Sequence, residues 1–116
     1  LKNNYTNVSV NINNVPIDTK TTFFGAIIGD HSKTAINTMI NTGTNIGVSC
    51  NLFGADFPPK YIPSFSWANS GILVEYKLNK AIEVAKIVMS RRNVEFTESD
   101  RIKFEKVFEL TKHERN

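Results

Sequence analysis

The sequence predicts a mainly β fold, in which coils of a left-handed parallel β-helix carry a projecting β-hairpin and are followed by a C-terminal pair of α-helices. Three observations predict it. From Ile28 onward the residues repeat with a period of six, Val8 to Asp18 alternates apolar and polar positions around Asn13-Asn14, and from about residue 72 apolar residues recur at helical spacing. At 116 residues, 41% hydrophobic and 22% charged, the chain is one globular domain at most. Within it, residues 1–71 are read as the β-helix end, with a hairpin at 8–18 and a Pro-rich cap at 55–71, and residues 72–116 as a two-helix extension.

The hairpin comes first. Val8, Val10 and Ile12 alternate with Ser9 and Asn11, two asparagines that tolerate positive φ follow, and Val15-Pro16-Ile17-Asp18 returns. Pro16 has no N–H for a ladder, so the second arm is expected at an edge.

The sixes then open at Ile28, Thr34, Ile40, Ile46 and Leu52. The second position is small in most of them, and the fifth is Ser32, Thr38, Thr44 and Cys50. In a triangular coil the first residue points inward and stacks on its equivalent eighteen positions on, so Ile28 is expected beside Ile46 and Thr34 beside Leu52. The expected β-helix core is Ile28, Ile40, Ile46, Leu52 and Cys50. These sixes make only about one and a half turns, fewer than the roughly three repeats a stacked core needs. The shortfall predicts support from sister chains, as a homotrimer. Residues 55–71 hold all but one of the prolines, and this strip, with Trp67, is expected to wrap over the open end and cover its last edge.

The C-terminal part predicts two helices. Leu78, Ala81, Ile82, Ala85, Val88 and Met89 form one buried stripe, and Arg91-Arg92-Asn93 ends it. Thr97 is an N-cap ahead of Glu98 and Asp100, and Phe104, Val107, Phe108 and Thr111 form the second stripe.

Composition excludes several function classes. The net charge of +3 is mild, with its basic excess interleaved with Glu and Asp on helix faces, so neither nucleic acid nor membrane is expected as a partner. No stretch approaches the roughly 18 apolar residues of a membrane span, and Leu1-Lys2-Asn3-Asn4 has no apolar run of a signal peptide. Cys50, the single cysteine, fits a reducing cytoplasm. A first residue of Leu rather than Met is expected of a piece of a longer protein.

The run Gly25-Ala26-Ile27-Ile28-Gly29-Asp30-His31-Ser32-Lys33-Thr34-Ala35-Ile36-Asn37-Thr38, with Asn41-Thr42-Gly43-Thr44, resembles the C-terminal hexapeptide domain of sugar-1-phosphate nucleotidyltransferases. The nearest likeness is to the bifunctional N-acetylglucosamine-1-phosphate uridylyltransferase / glucosamine-1-phosphate acetyltransferase family. Phe53-Gly54, Pro58-Pro59-Lys60-Tyr61-Ile62-Pro63-Ser64-Phe65-Ser66-Trp67 and the helical tail look like a Bacteroidetes-type subgroup of it. The resemblance implies a trimerising domain of a nucleotide-sugar-forming transferase, inactive alone, whose parent protein handles a nucleotide sugar or sugar phosphate. No Gly-x-Gly-x-x-Gly or Walker-type loop is present in this chain. It also implies an alternative, an acetyl-CoA-dependent sugar N-acyltransferase with its cleft between subunits. The family's catalytic histidine and its companion asparagine fall ahead of Leu1, and Asn4 to Ser9 lacks the lysines of archaeal relatives. A third reading is a non-catalytic assembly module whose helices recruit another protein.

Candidate site residues follow. No catalytic residue and no metal site is assigned: two histidines, His31 and His113, and one cysteine have no metal-ligand spacing, and no resident cofactor is required. His31, Lys33, Asn37 and Asn41 would line an acyl-CoA or sugar cleft, with acetyl-CoA as the cosubstrate of the acyltransferase reading. The bland role of His31 is a corner residue, and that of Asn37, Asn41 and Asn45 is corner geometry. Lys2, Lys33 and Lys60 are candidates for phosphate contacts, or else solvated lysines. Cys50 is a packing residue.

Overall fold

The computed structural model describes residues 4–115. The alternation after Asn7 forms β1 (Ser9–Ile12), which pairs antiparallel with β2 (Val15–Asp18), Val10 opposite Ile17. Asn13 and Asn14 turn the chain at φ 51° and 66°, the left-handed pair that a two-residue turn requires. Val8 and Val10 are buried while β2 is exposed throughout, so Pro16 stands at an edge. The hairpin lies on the body of the molecule, because Asn45 Nδ2 donates to the Asn11 carbonyl at 2.8 Å.

Seven further strands follow: β3 (Ala26–Ile28), β4 (Lys33–Thr34), β5 (Thr44–Ile46), β6 (Asn51–Phe53), β7 (Tyr61–Ile62), β8 (Ser66–Asn69) and β9 (Ile72–Glu75). β3, β5 and β7 make a parallel three-stranded sheet; β4, β6, β8 and β9 make a mixed four-stranded one, with β9 antiparallel to β8. Two helices close the chain, α1 (Leu78–Ser90) and α2 (Glu98–Leu110), with a short 3-10 turn at Lys112–Glu114.

The left-handed β-helix expected from the six-residue period does not form. A triangular coil closes on three ladders, whereas this chain builds two open sheets, and no closed or coiling sheet is present among the described residues. The result is a small α/β fold with parallel and mixed sheets. Two features of the chain account for this. Ile28 pairs with Ile46 and Thr34 with Leu52, but Ile46 next pairs with Ile62 and Leu52 with Ala68, so the step shortens from eighteen positions to sixteen and the period is lost. The stretches that a third ladder would use are also unsuited to strands. They hold Asn37, Gly43 and Gly54 at positive φ, and Pro58 and Pro59, which have no N–H to donate.

The expected core changes accordingly. Ile46, Cys50 and Leu52 are buried with Ile62 and Ala68, and Ile40 packs on them only in part. Ile28 is corrected from core to surface: it lies on the outermost strand, 52% exposed, with nothing stacked beyond it. The Pro-rich strip is not a cap. Tyr61–Ile62 and Ser66–Asn69 are themselves the next rungs, with Ile62 and Ala68 turned inward, and β9 covers the outer edge of β8. The segment just after residue 71 is likewise strand before it is helix, because Ser70 at φ 53° and Gly71 turn the chain back and Ile72-Leu73-Val74 pairs with Trp67 to Asn69.

The helices sit where their stripes require. Ala81, Ile82 and Ala85 of α1 and Phe104 of α2 form a second core with Phe65 and Tyr76. Thr97 caps α2 in a reciprocal box with Asp100, each side chain bonding the other residue's backbone N–H. Among the described residues no helix is long and apolar enough to cross a membrane.

Candidate functional site

The chain turns from the first sheet toward the second at Asp30-His31, at Val48-Ser49 and at Ser64-Phe65. At each turn one residue takes the left-handed conformation: His31 at φ 63°, Ser49 at 54° and Phe65 at 58°. Such values are costly for side chains of this size and persist only where surrounding structure holds them. The turns are stacked by hydrogen bonds, Ser49 N–H to the Asp30 carbonyl at 2.9 Å and Phe65 N–H to the Val48 carbonyl at 2.8 Å. The stacking is close because Gly29 and Gly47 precede the first two turns. A Cβ on Gly29 would meet the Gly47 carbonyl oxygen at 2.5 Å, and one on Gly47 would meet the Ser64 backbone nitrogen at 2.5 Å.

Helix α2 lies across this column. Phe104 touches the His31 ring edge-on at 4.9 Å and the Phe65 ring at 6.1 Å, and Phe108 touches Phe65 at 5.1 Å. Between helix and turn a cleft of ≈ 340 Å³ remains, within the range of small-molecule sites. It is lined by Asp30 and His31 of the first turn, Val48 of the second, and Asp100, Lys103, Phe104 and Val107 of α2.

Burial, and secondarily the Lys33 ammonium, lower the His31 pKa from the ordinary imidazole value, against the opposing pull of Asp30 and Asp100. The ring is therefore neutral at neutral pH, and neither of its nitrogens bonds another described residue. Lys33 Nζ donates to the His31 carbonyl at 3.1 Å, and burial lowers its pKa as well. The Asp100 carboxyl is held below its usual value by the Thr97 N–H and hydroxyl it accepts from. Ser49, which follows Val48 in sequence but does not line the cleft, has a buried Oγ with no hydrogen-bond partner among the described residues.

A pH dependence follows. A histidine whose folded pKa lies below its unfolded value takes up fewer protons when folded, so stability is lost as pH falls through about 6.5 toward the folded value. Melting curves between pH 7.5 and pH 5.5 should show a shallow fall, shallow because the half-exposed ring is partly screened by solvent. His31→Asn, which tolerates the left-handed turn, should flatten it.

Of the four residues expected at an acyl-CoA or sugar cleft, the structure brings His31 and Lys33 together, and only His31 lines the cleft. Asn37 is an exposed left-handed residue on another turn, and the Asn41 Oδ1 accepts from the Thr42 N–H. Asn45, expected at a corner, lies within β5 and ties down the hairpin. Lys60 is exposed, and Lys2 lies outside the described residues. Cys50 packs in the core with its thiol on the Pro63 carbonyl at 3.2 Å, and burial pushes its pKa up, so it is no nucleophile. Ser32 Oγ is spent between the Gly47 carbonyl and the Cys50 N–H. Among the described residues no group of three His, Cys, Asp or Glu side chains converges as a metal site would.

Asp30, Val48, Asp100, Lys103, Phe104 and Val107 are the cleft residues that sequence reasoning missed as a site. Their signal was present in part, because Phe104 and Val107 lie on the stripe that had to cover something. Which turn that stripe would cover depends on tertiary packing. Comparison with family models, with curated proteins and with solved structures finds no match for this chain.

Proposed function

We propose that the chain is a homotrimerising assembly domain of a sugar-1-phosphate nucleotidyltransferase and works in a reducing, cytoplasmic compartment. The observation that carries this reading is the outer face of the two sheets. β3 and β4 end their sheets with unpaired edges, and around them Phe24, Ile27, Ile28, Ile36 and Met39 are exposed. An unpaired edge flanked by exposed apolar side chains is a surface that native proteins cover. The link to sugar nucleotides rests on the motif resemblance alone. Its two most specific stretches, Gly29 to Thr34 and Pro63 to Trp67, meet on the same column of turns, where His31 and Phe65 both hold Phe104. Cys50, free and buried, agrees with a reducing compartment. The acyl-transfer alternative has weaker support, because Asn37 and Asn41 do not line the His31 cleft.

Light scattering on the purified chain tests the reading. The expected mass is three times that of one chain. Ile28→Lys and Ile36→Glu, both surface changes in the single chain, should each shift the population to monomer, whereas Val74→Lys on the opposite edge strand should not. A monomeric wild type would end the proposal.

A further inference from the structure

The geometry points to the outer edge of β9, with the groove beside it, as a docking site for an extended acidic segment of another protein, which adds to the mixed sheet as a further strand. This goes beyond the assembly role, which uses the opposite edges, and stands whatever the oligomeric state.

The backbone supplies the first observation. β9 ends the mixed sheet, and only β8 pairs with it. The Tyr76 N–H donates to the Phe65 carbonyl at 2.7 Å, so by the alternation of an antiparallel ladder Ile72, Val74 and Tyr76 bond toward the β8 side. Leu73 and Glu75, between them, turn their N–H and C=O groups outward. Native edges are blunted by proline, charge or a bulge, as Pro16 blunts β2. Ile72-Leu73-Val74 carries neither charge nor proline, is exposed at all three positions and pairs with β8 in unbroken register.

The groove supplies the second. Trp67, Ile72 and Val74 share one face of the sheet. On that face a hollow of ≈ 240 Å³ lined by Trp67, Val74, Tyr76 and Lys77 adjoins one of ≈ 410 Å³ that reaches Val84 and Ile87 of α1; Trp67, Tyr76 and Lys80 line both. Tyr76 is only 7% exposed, with its ring edge-on to Trp67 at 5.7 Å, yet its hydroxyl bonds no described residue. In an added strand the residue opposite Val74 projects over this groove, which takes a large apolar or aromatic side chain and offers it the Tyr76 hydroxyl.

Charge selects the rest of the segment. Glu75 is taken up by Arg115 at 2.9 Å and Glu83 by Lys80 at 3.5 Å. Lys77 is exposed and has no ion-pair partner among the described residues. It is the N-cap of α1, whose first turn holds no acidic residue and no side-chain cap, so the Leu78 and Asn79 N–H groups stay unpaired at the positive end of the helix. A carboxylate next to the anchoring side chain meets both the ammonium and the helix end, whereas a basic segment is repelled by them.

The test uses the full chain and a terminally blocked peptide, Thr-Val-Thr-Phe-Asp-Asp. One comparator carries lysines for the aspartates, and another is N-methylated at alternate residues and cannot complete a ladder. The readouts are the fluorescence of Trp67, the single tryptophan, and the backbone amide signals of Leu73 and Glu75. The acidic peptide should move both saturably, with half-saturation below ~1 mM, and each comparator should bind about tenfold or more weakly. Lys77→Glu changes an exposed position that makes no side-chain cap, and it should lower affinity for the acidic peptide about tenfold while raising that for the lysine peptide. Absence of a saturable shift, equal affinity for the acidic and lysine peptides, or undiminished binding of the N-methylated one would overturn the assignment. So would a doubled mass in light scattering that Val74→Lys reverses, because the edge would then belong to a second copy. A monomeric chain that binds the acidic peptide ends the assembly proposal and leaves this one standing.

Discussion

Gly47→Ala is expected to destabilise the chain by about 3 kcal/mol or more and to lower its melting temperature on the order of 10–20 °C. The reason is steric and local. Gly47 sits between two stacked turns, donating its N–H to the Ile62 carbonyl at 2.9 Å and accepting from Ser32 Oγ at 2.6 Å. A Cβ there would lie 2.5 Å from the Ser64 nitrogen and 2.7 Å from its Cα. Those atoms are backbone and cannot swing aside. Ser64 is itself fixed by its hydroxyl, which accepts from the Val48 N–H at 2.9 Å, and by the Arg115 guanidinium on its carbonyl. Relief therefore requires the rungs to part, which breaks the β5–β7 ladder and loosens Phe65, the fully buried residue that holds α2. Gly71→Ala is the control. A Cβ at Gly71 meets nothing within 4 Å, so thermal melting should find it within about 0.5 kcal/mol of wild type. Equal stability of the two variants would mean that the turns at 29, 47 and 64 are not in contact.

The same three turns mark how far the fold could be read from the residues. The spacing of Ile28, Thr34, Ile46 and Leu52 was legible, and so was the register it implies, because identical short strands stack only where small residues let their backbones approach. Whether those strands close into a prism was not legible from four sixes. Closure depends on the connecting stretches, and there Gly43, Gly54 and the Pro58-Pro59 pair leave the third side without a ladder. The shortened step to Ile62 and Ala68 was hidden for a related reason. Pro63 and Pro58 dominate the composition of that strip, although Ile62, Phe65 and Ala68 carry its inward face. Helix α2 was readable at both ends of the argument, from Thr97 with Asp100 and from the Phe104–Phe108 stripe. The cleft was only half readable. His31 stood out as chemistry, but the residues opposite it come from a helix about seventy positions later, and no local signal in either segment names the other.

Arg115→Ala is expected to cost about 3–5 kcal/mol, the range for breaking a buried charged network at one partner. Its side chain is 2% exposed although it is the last of the described residues. Nε donates to Glu75 at 2.9 Å, Nη1 to the Ser64 carbonyl at 3.1 Å and to Thr111 Oγ1 at 2.7 Å, and Nη2 to the Phe108 carbonyl at 2.8 Å. The guanidinium also lies 4.2 Å over the Phe108 ring. One side chain thus satisfies a carbonyl in the last turn of α2, the carbonyl of the third stacked turn and a carboxylate on β9, and so joins the helix to both sheets. Tyr61 adds a second tie nearby through its hydroxyl bond to Glu114, whose pKa burial raises against the opposing pull of Arg115. Removal of Arg115 takes the guanidinium donor from the Ser64 carbonyl and leaves the Phe108 carbonyl only the long contact from the Thr111 hydroxyl at 3.5 Å, and because α2 carries Phe104, the loss should reach the His31 ring as well as the melting curve. Arg115→Lys separates charge from geometry, since an ammonium cannot reach the three directions a planar fork does, and it should recover less than half of the loss. Glu75→Ala, which removes the most exposed partner, should cost about 1 kcal/mol. Denaturant unfolding of the three variants orders them, and an Arg115→Ala chain as stable as Glu75→Ala would show that the C-terminal turn is not what fastens α2 to the sheets.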